Sequence, residues 1–197
     1  MDSLKRYGIL LFLLVILSFV HEEGHNLALR HYEVDVDSIC IGLPIEGITF
    51  TLWEDNNGTE YNVSPLLLFG VTVSKEIDAF DNLQPLSKII VYLSGGVFNL
   101  MLAFGLLLLY FLAKKSGLRR LPEVIRTIKL ASFYSLLVGL TNWLVVLPAL
   151  DGGRILMILS GPILGDKGYW LGAILGLLMI TFIDKILYLP LKKIYKL

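Results

Sequence analysis

The run Ile9-Leu10-Leu11-Phe12-Leu13-Leu14-Val15-Ile16-Leu17-Ser18-Phe19-Val20 carries no charge and leads directly into His21-Glu22-Glu23-Gly24-His25. So long an apolar stretch marks a membrane span, since none of its faces suits water. The helical pattern continues through Asn26-Leu27-Ala28-Leu29, which makes residues 7 to 29 one predicted span. At about 1.5 Å per residue it is long enough for a hydrocarbon core of about 30 Å. Two imidazoles and a carboxylate then lie inside a membrane helix, where ionisable groups are functional candidates by default. Read instead as a signal peptide, with Lys5 and Arg6 as its basic region, the segment lacks a small-residue cleavage site. Cutting there would also sever His21 from its helix.

Composition supports the membrane reading. Of 197 residues 55% are hydrophobic and 17% charged, too apolar for an ordinary soluble domain of that length. Further apolar segments at Ile89 to Ala113, Leu130 to Leu147 and Tyr169 to Ile183 bring the expected total to about four transmembrane segments in a mainly α-helical membrane protein. Residues 33 to 85 differ in character. Val34 to Ile41 and Gly47 to Trp53 alternate as half-buried strands, Glu54-Asp55-Asn56-Asn57-Gly58 reads as a turn, and Pro65 to Val73 is a third strand candidate with Gly70 as a close-approach site. The expectation is a small membrane-associated β-sheet between the first and second spans, serving as a cap or offering an edge to an extended substrate. The whole chain, 1–197, is expected to form one integral-membrane domain with a core at about 7–160 and an extra C-terminal membrane segment at about 169–189. No extra segment of soluble-domain length is expected beside it. The 17 basic and 17 acidic residues balance, so nothing points to nucleic acid.

On a helix, residues four apart differ by about 40° of rotation and about 6 Å of rise, so His21 and His25 can bind one metal ion with Glu22 beside it. This is the His-Glu-x-x-His arrangement of zinc hydrolases, in which the metal acidifies water and the glutamate takes its proton. The single cysteine, Cys40, excludes an internal disulfide and a cysteine-based zinc site, which leaves histidine and carboxylate as ligands. His31 falls where one class of soluble zinc proteases has its third ligand. That class needs glycine at position 28, whereas Ala28 favours unbroken helix, so His31 reads as an interfacial polar residue. Asp151, in Pro148-Ala149-Leu150-Asp151-Gly152-Gly153-Arg154, is a candidate third ligand on irregular backbone. On spacing alone a surface aspartate beside Arg154 explains it about as well. Asn99, after Ser94-Gly95-Gly96 in the second span, reads first as a helix-packing residue and second as a group near the metal.

Three separated stretches resemble one family, the site-2 proteases, which are intramembrane zinc metalloproteases. His21-Glu22-Glu23-Gly24-His25 with Glu33-Val34-Asp35-Val36 and Ile39-Cys40-Ile41-Gly42 looks like the family's first core helix running into its sheet. Ser94-Gly95-Gly96-Val97-Phe98-Asn99 is similar to its Gly-Pro-x-x-Asn stretch, and Leu147-Pro148-Ala149-Leu150-Asp151-Gly152-Gly153 to its Leu-Asp-Gly motif. The resemblance implies one zinc ion per chain held by His21, His25 and Asp151, Glu22 as catalytic base, and Asn99 and Asn142 near the site. It also implies transmembrane substrates cleaved within the bilayer. Gly96 stands where the family usually has proline, Val146 at another usual proline position, and Trp143 at the usual asparagine position, with Asn142 one residue early.

A catalytically silent helix-binding scaffold and a metal transporter are the rival functions. A scaffold needs no base beside its histidines, and a transporter wants more ligands along a path than the other apolar segments offer. Orientation is read two ways. Six basic residues between Lys114 and Lys129 against Glu123, and three basic against ten acidic residues between 30 and 88, put the 114 to 129 connection in the cytoplasm. The resemblance implies the reverse.

Overall fold

The computed structural model describes residues 3–65, 70–115 and 121–195. Residues 66–69 of the third strand candidate, 116–120 of the basic connection, and Lys196 lie outside them. The elements in chain order are α1 (Ser3–His31), β1 (Val36–Ile41), β2 (Phe50–Glu54), β3 (Glu60–Val63), β4 (Gly70–Ser74), α2 (Ile77–Asp81), α3 (Pro85–Lys115), α4 (Pro122–Leu144), α5 (Asp151–Leu164), α6 (Lys167–Ile183) and α7 (Leu189–Tyr195). A π-helical turn, Asp184–Tyr188, precedes α7. Among the described residues the protein is mainly α-helical with one small sheet, and it divides into two compact units, one ending at Gly95 and the other starting at Gly96.

In the first unit, α1 is continuous through the His-Glu-Glu-Gly-His stretch and stops where the chain turns left-handed at Glu33, φ 58°. The Val34 amide donates back to the Leu29 carbonyl at 3.0 Å and the Glu33 amide to Arg30 at 3.1 Å. This Schellman ending satisfies the last carbonyls and seats Val34 against Leu29 in the core. The following sheet has the order β2-β3-β1-β4, so β2 and β4 are its edges. β1 runs parallel to β3 (Ile39 opposite Tyr61) and antiparallel to β4 (Ile39 opposite Thr72). The turn read from the sequence is present, closed by the Gly58 amide on the Asp55 carbonyl at 3.0 Å, with Gly58 at φ 75°, where a side chain would be strained. β3 was not legible beforehand. Its four residues, Glu60-Tyr61-Asn62-Val63, are too few to show alternation.

Leu29, Val34, Val36, Ile39, Tyr61 and Val91 form the core between α1, the sheet and the start of α3. Trp53 stacks on Tyr61 with centroids 4.4 Å apart, and Phe19 of α1 closes on both rings. Burial and a hydrogen bond to Glu23 push the Tyr61 phenol up to about 12. A polar clamp fixes the end of α1 to the β2–β3 turn. Arg30 donates from Nη2 to Asp55 Oδ2 at 2.7 Å and Thr59 Oγ1 at 2.8 Å, and from Nε to Asn26 Oδ1 at 2.8 Å. The Thr59 amide first, then Arg30 and Asn57, hold the Asp55 carboxyl below the ordinary carboxylate range. A carboxyl with a depressed folded pKa adds stability above its unfolded pKa of about 4 and loses it as pH falls further. Asp55→Asn should therefore lower the thermal midpoint at neutral pH by a few degrees, about the scale of a lost hydrogen bond to a charged group. That deficit should shrink as the pH of the melt is taken below about 4, and a gap that stayed constant with pH would rule out the charge as its source.

In the second unit, α4 passes close to α3. A Cβ on Gly139 would lie 3.0 Å from the Gly96 carbonyl oxygen and 3.2 Å from Asn99 Cβ, and Ser135 donates to the Asn99 carbonyl at 2.7 Å. Small residues at a crossing let two membrane helices approach to backbone contact. Farther along, Ser132 donates to the Ala103 carbonyl and meets the Tyr195 hydroxyl at 2.9 Å, which ties α7 to α4 beside Phe133 and Leu191.

Among the described residues α3 and α4 are long and apolar enough to cross a membrane, with 22% and 28% of their apolar windows buried. Helices so apolar and so little covered suit lipid, not the interior of a soluble domain. The expectation of about four spans with the sheet between the first two is corrected in this respect: length and composition single out two, and the sheet precedes both. α6 has 17 residues, short of the roughly 20 a bilayer requires, and α1 mixes its apolar run with Lys5, Arg6, Glu22, Glu23 and Arg30.

Candidate metal centre

The His-Glu-Glu-Gly-His stretch occupies the third quarter of α1, where the helix faces the start of α3 and strand β4. Each contact there requires a missing side chain. A Cβ on Gly24 would lie 2.7 Å from the Ser94 carbonyl oxygen and 2.9 Å from Gly95 Cα, so the two helices meet backbone to backbone. His21 and His25 are thereby carried to Gly95. A Cβ on that residue would come 2.5 Å from His25 Nε2 and 2.7 Å from His21 Nε2. On the other flank a Cβ on Gly70 of β4 would run into the Glu22 carboxylate.

His21, Glu22 and His25 are all buried, and they are a group whose ligand atoms lie within 4.8 Å of one another. His25 Nδ1 sits 2.7 Å from the Val91 carbonyl. A carbonyl can only accept, so Nδ1 carries the proton and the Nε2 lone pair is turned toward His21. The two Nε2 atoms are 3.1 Å apart. Two nitrogen ligands at 2.0–2.1 Å from a tetrahedral ion stand about 3.3 Å apart, so the pair fits a zinc ion with little adjustment. Thr72 of β4 donates to Glu22 Oε2 at 2.7 Å and lies 3.3 Å from the Glu22 main-chain oxygen. Burial, and secondly the charge of Glu22, push the Cys40 thiol up, which keeps it protonated and inert.

His31 is exposed at the end of α1 and packs on Tyr32. It stands apart from this cluster, as Ala28 in an unbroken helix led one to expect. Asn99 is fully buried on α3 within the second unit, at the α3–α4 crossing. Asn142 is half-buried near the end of α4. Asp151 is buried and differs from its sequence reading in one respect: the irregular backbone covers residues 145 to 150, and Asp151 opens the first turn of α5. A carboxylate there also suits the positive end of the helix dipole. The two glycines after it permit close packing. A Cβ on Gly152 would strike the Trp143 carbonyl, and one on Gly153 the Leu147 carbonyl.

The structure also joins two oddities of the sequence. Gly96 and Trp143 occupy positions where the resembling family has proline and asparagine, and a Cβ on Gly96 would collide with the Trp143 indole. The small residue makes room for the large ring. Sequence reasoning did not find Thr72 or the carbonyl of Val91, because neither residue type advertises a partner on another element. Gly70 was flagged, though not for what it abuts.

The sequence model of Peptidase family M50 matches residues 9–123, which include His21, Glu22, His25, Gly70, Thr72 and Asn99 but not Asn142 or Asp151. A predicted zinc metalloprotease of Borreliella burgdorferi is 32% identical over 103 residues, 44% of this chain and 23% of that protein. Another, of Campylobacter jejuni, is 35% identical over 121 residues, 55% of this chain and 31% of that protein. The chain thus spans less than a third of the length of these curated relatives.

Proposed function

Since the chain belongs to Peptidase family M50, we propose that it is a zinc-dependent intramembrane endopeptidase that cuts transmembrane segments of other membrane proteins. The observation that carries this is the buried His21, Glu22 and His25 cluster on a helix that follows an uncharged run. His21 and His25 would hold one zinc ion per chain, with Asp151 as third ligand on the strength of the resemblance of Leu150-Asp151-Gly152 to the site-2 protease motif. The same resemblance supports Asn99 and Asn142 as residues supporting the site. The resemblance, which covers about residues 7–160, also supports α1 as a membrane segment; a further one at about 169–189, longer than α6 alone, rests on its own apolar composition, giving a multi-pass protein with residues 1–197 as one enzyme domain.

Bound zinc would supply the Lewis acidity that makes water a nucleophile near neutral pH. The chain's own groups do the rest. Glu22 takes a proton from the attacking water as a carbon–oxygen bond forms at the scissile carbonyl, and returns it to the amine as the carbon–nitrogen bond breaks. His25 is held in one tautomer by Val91. A helical peptide bond is shielded by its own hydrogen bonds, so the substrate must unwind first; edge strand β4, beside Glu22, is placed to pair with it once extended.

Removing the metal should stop the reaction. Purified protein stripped with a chelator and assayed on a single-span reporter helix should be inactive, and one equivalent of zinc should restore cleavage inside the apolar segment, mapped by mass spectrometry. Asp151→Ala should weaken zinc retention by at least tenfold, the scale of an altered metal environment. Persistent cleavage by the metal-free protein would sink the assignment, and an Asp151→Ala protein that keeps zinc at parental affinity would remove that residue from the ligand set.

A further inference from the structure

The carboxylate of Glu22 is buried and is held by strand β4. Gly70 and Thr72 are two apart on that strand, so they share one face. Two independent observations turn that face toward Glu22: the Thr72 hydroxyl donates to Oε2, and a Cβ on Gly70 would meet the same carboxylate. Pairing of Thr72 with Ile39 fixes the strand from its inner side. Valine or isoleucine would serve a strand position as well as threonine does, so the sheet itself gives the hydroxyl no task. At 2.7 Å its contact with Oε2 has the length of a charge-assisted hydrogen bond, whereas the main-chain oxygen at 3.3 Å is a poor second acceptor.

We propose that Thr72 is a positioning residue for the proton transfers of Glu22: it pins Oε2, leaving Oε1 as the oxygen that takes and returns the proton, while the bare Gly70 keeps room for Oε1. This deepens the proposed function and rests on Glu22 as the base. The edge that would receive the substrate and the device that sets the base are then one strand, so a substrate strand paired along β4 arrives in register with the carboxylate.

The test uses the purified full chain in phosphatidylcholine vesicles with a single-span reporter helix, Gly-Pro at its centre and a fluorophore and quencher at its ends. Thr72→Val, which keeps shape and removes the hydroxyl, should lower kcat roughly ten- to a hundredfold, with KM and zinc content unchanged and the thermal midpoint lowered by no more than a few degrees. Thr72→Ser should recover most of kcat. Gly70→Ala should also lower kcat with zinc retained, because the new methyl would overlap the Glu22 side chain from Cγ to Oε1 and push the carboxylate off Thr72. The inference is overturned if Thr72→Val keeps kcat within about twofold of the parent on the scale set by a hydrogen bond to a charged group. It is equally overturned if Thr72→Val loses zinc or melts far below the parent and Thr72→Ser does not repair it, since Thr72 is then merely structural. Glu22→Gln run alongside separates the two levels: an active Glu22→Gln protein removes the proposed function, whereas an inactive one beside an unimpaired Thr72→Val removes the positioning role alone.

Discussion

Glu22→Gln is expected to bind zinc as the parent does and to cleave a hundredfold to ten-thousandfold more slowly, the range that positioned acid–base groups contribute. The substitution is nearly isosteric. The glutamine side-chain oxygen can still accept from Thr72, so the contact between α1 and β4 survives, and both imidazoles stay where Gly95 and Val91 put them. What is lost is a group able to take a proton. The measurement pairs zinc content by atomic absorption with the rate on a transmembrane reporter. A variant that cleaves at the parental rate would show that Glu22 is not the base, and a variant that loses zinc would show that its carboxylate is a ligand.

The second large effect is expected from Gly95→Ala, which should cost at least the 10- to 100-fold in zinc affinity associated with disturbing a ligand's supporting contacts. The new methyl would lie 2.5 Å from His25 Nε2, 2.6 Å from His21 Cε1 and 2.7 Å from His21 Nε2, in the space where the two nitrogens converge. His25 has little freedom to withdraw, because Nδ1 is tied to Val91. Helix α3 itself should tolerate the change, since alanine is favoured over glycine in a helix interior by up to about 1 kcal/mol. Loss of metal with helix content intact is thus the signature, read by competition with a chromophoric chelator and by circular dichroism. Parental zinc affinity in Gly95→Ala would mean that the imidazoles do not converge on the space this glycine leaves.

Much of the local structure was legible because it follows from short-range rules. Helix α1 through His25, the turn at Gly58, the strands expected at 34–41 and 47–53, and the apolar helices expected at 89–113 and 130–147 all answer to periodicity or to a turn residue, though α4 begins at Pro122, ahead of the expected Leu130. Boundaries moved where the rule was tertiary. α4 ends at Leu144, before the predicted Leu147, and α5 starts at Asp151 itself, because Gly152 and Gly153 let that first turn pack against the carbonyls of Trp143 and Leu147. β3 was missed because a four-residue strand is defined by its partners, β1 and β2.

By itself the sequence determined the donor set and its spacing. Two histidines four residues apart on a helix must lie on one face, with Glu22 next to them, whatever the rest of the chain does. It likewise determined that apolar helices of this length suit lipid. Which atoms stand opposite that face was decided by tertiary structure alone. Gly24 and Gly95 bring α1 against the start of α3, Val91 sets the tautomer of His25, and an edge strand some fifty residues away presents Gly70 and Thr72 to the carboxylate. Contacts of that kind depend on sheet order and helix crossing, and no local pattern encodes them, since a glycine or a threonine reads the same in sequence whether it faces lipid or a catalytic base.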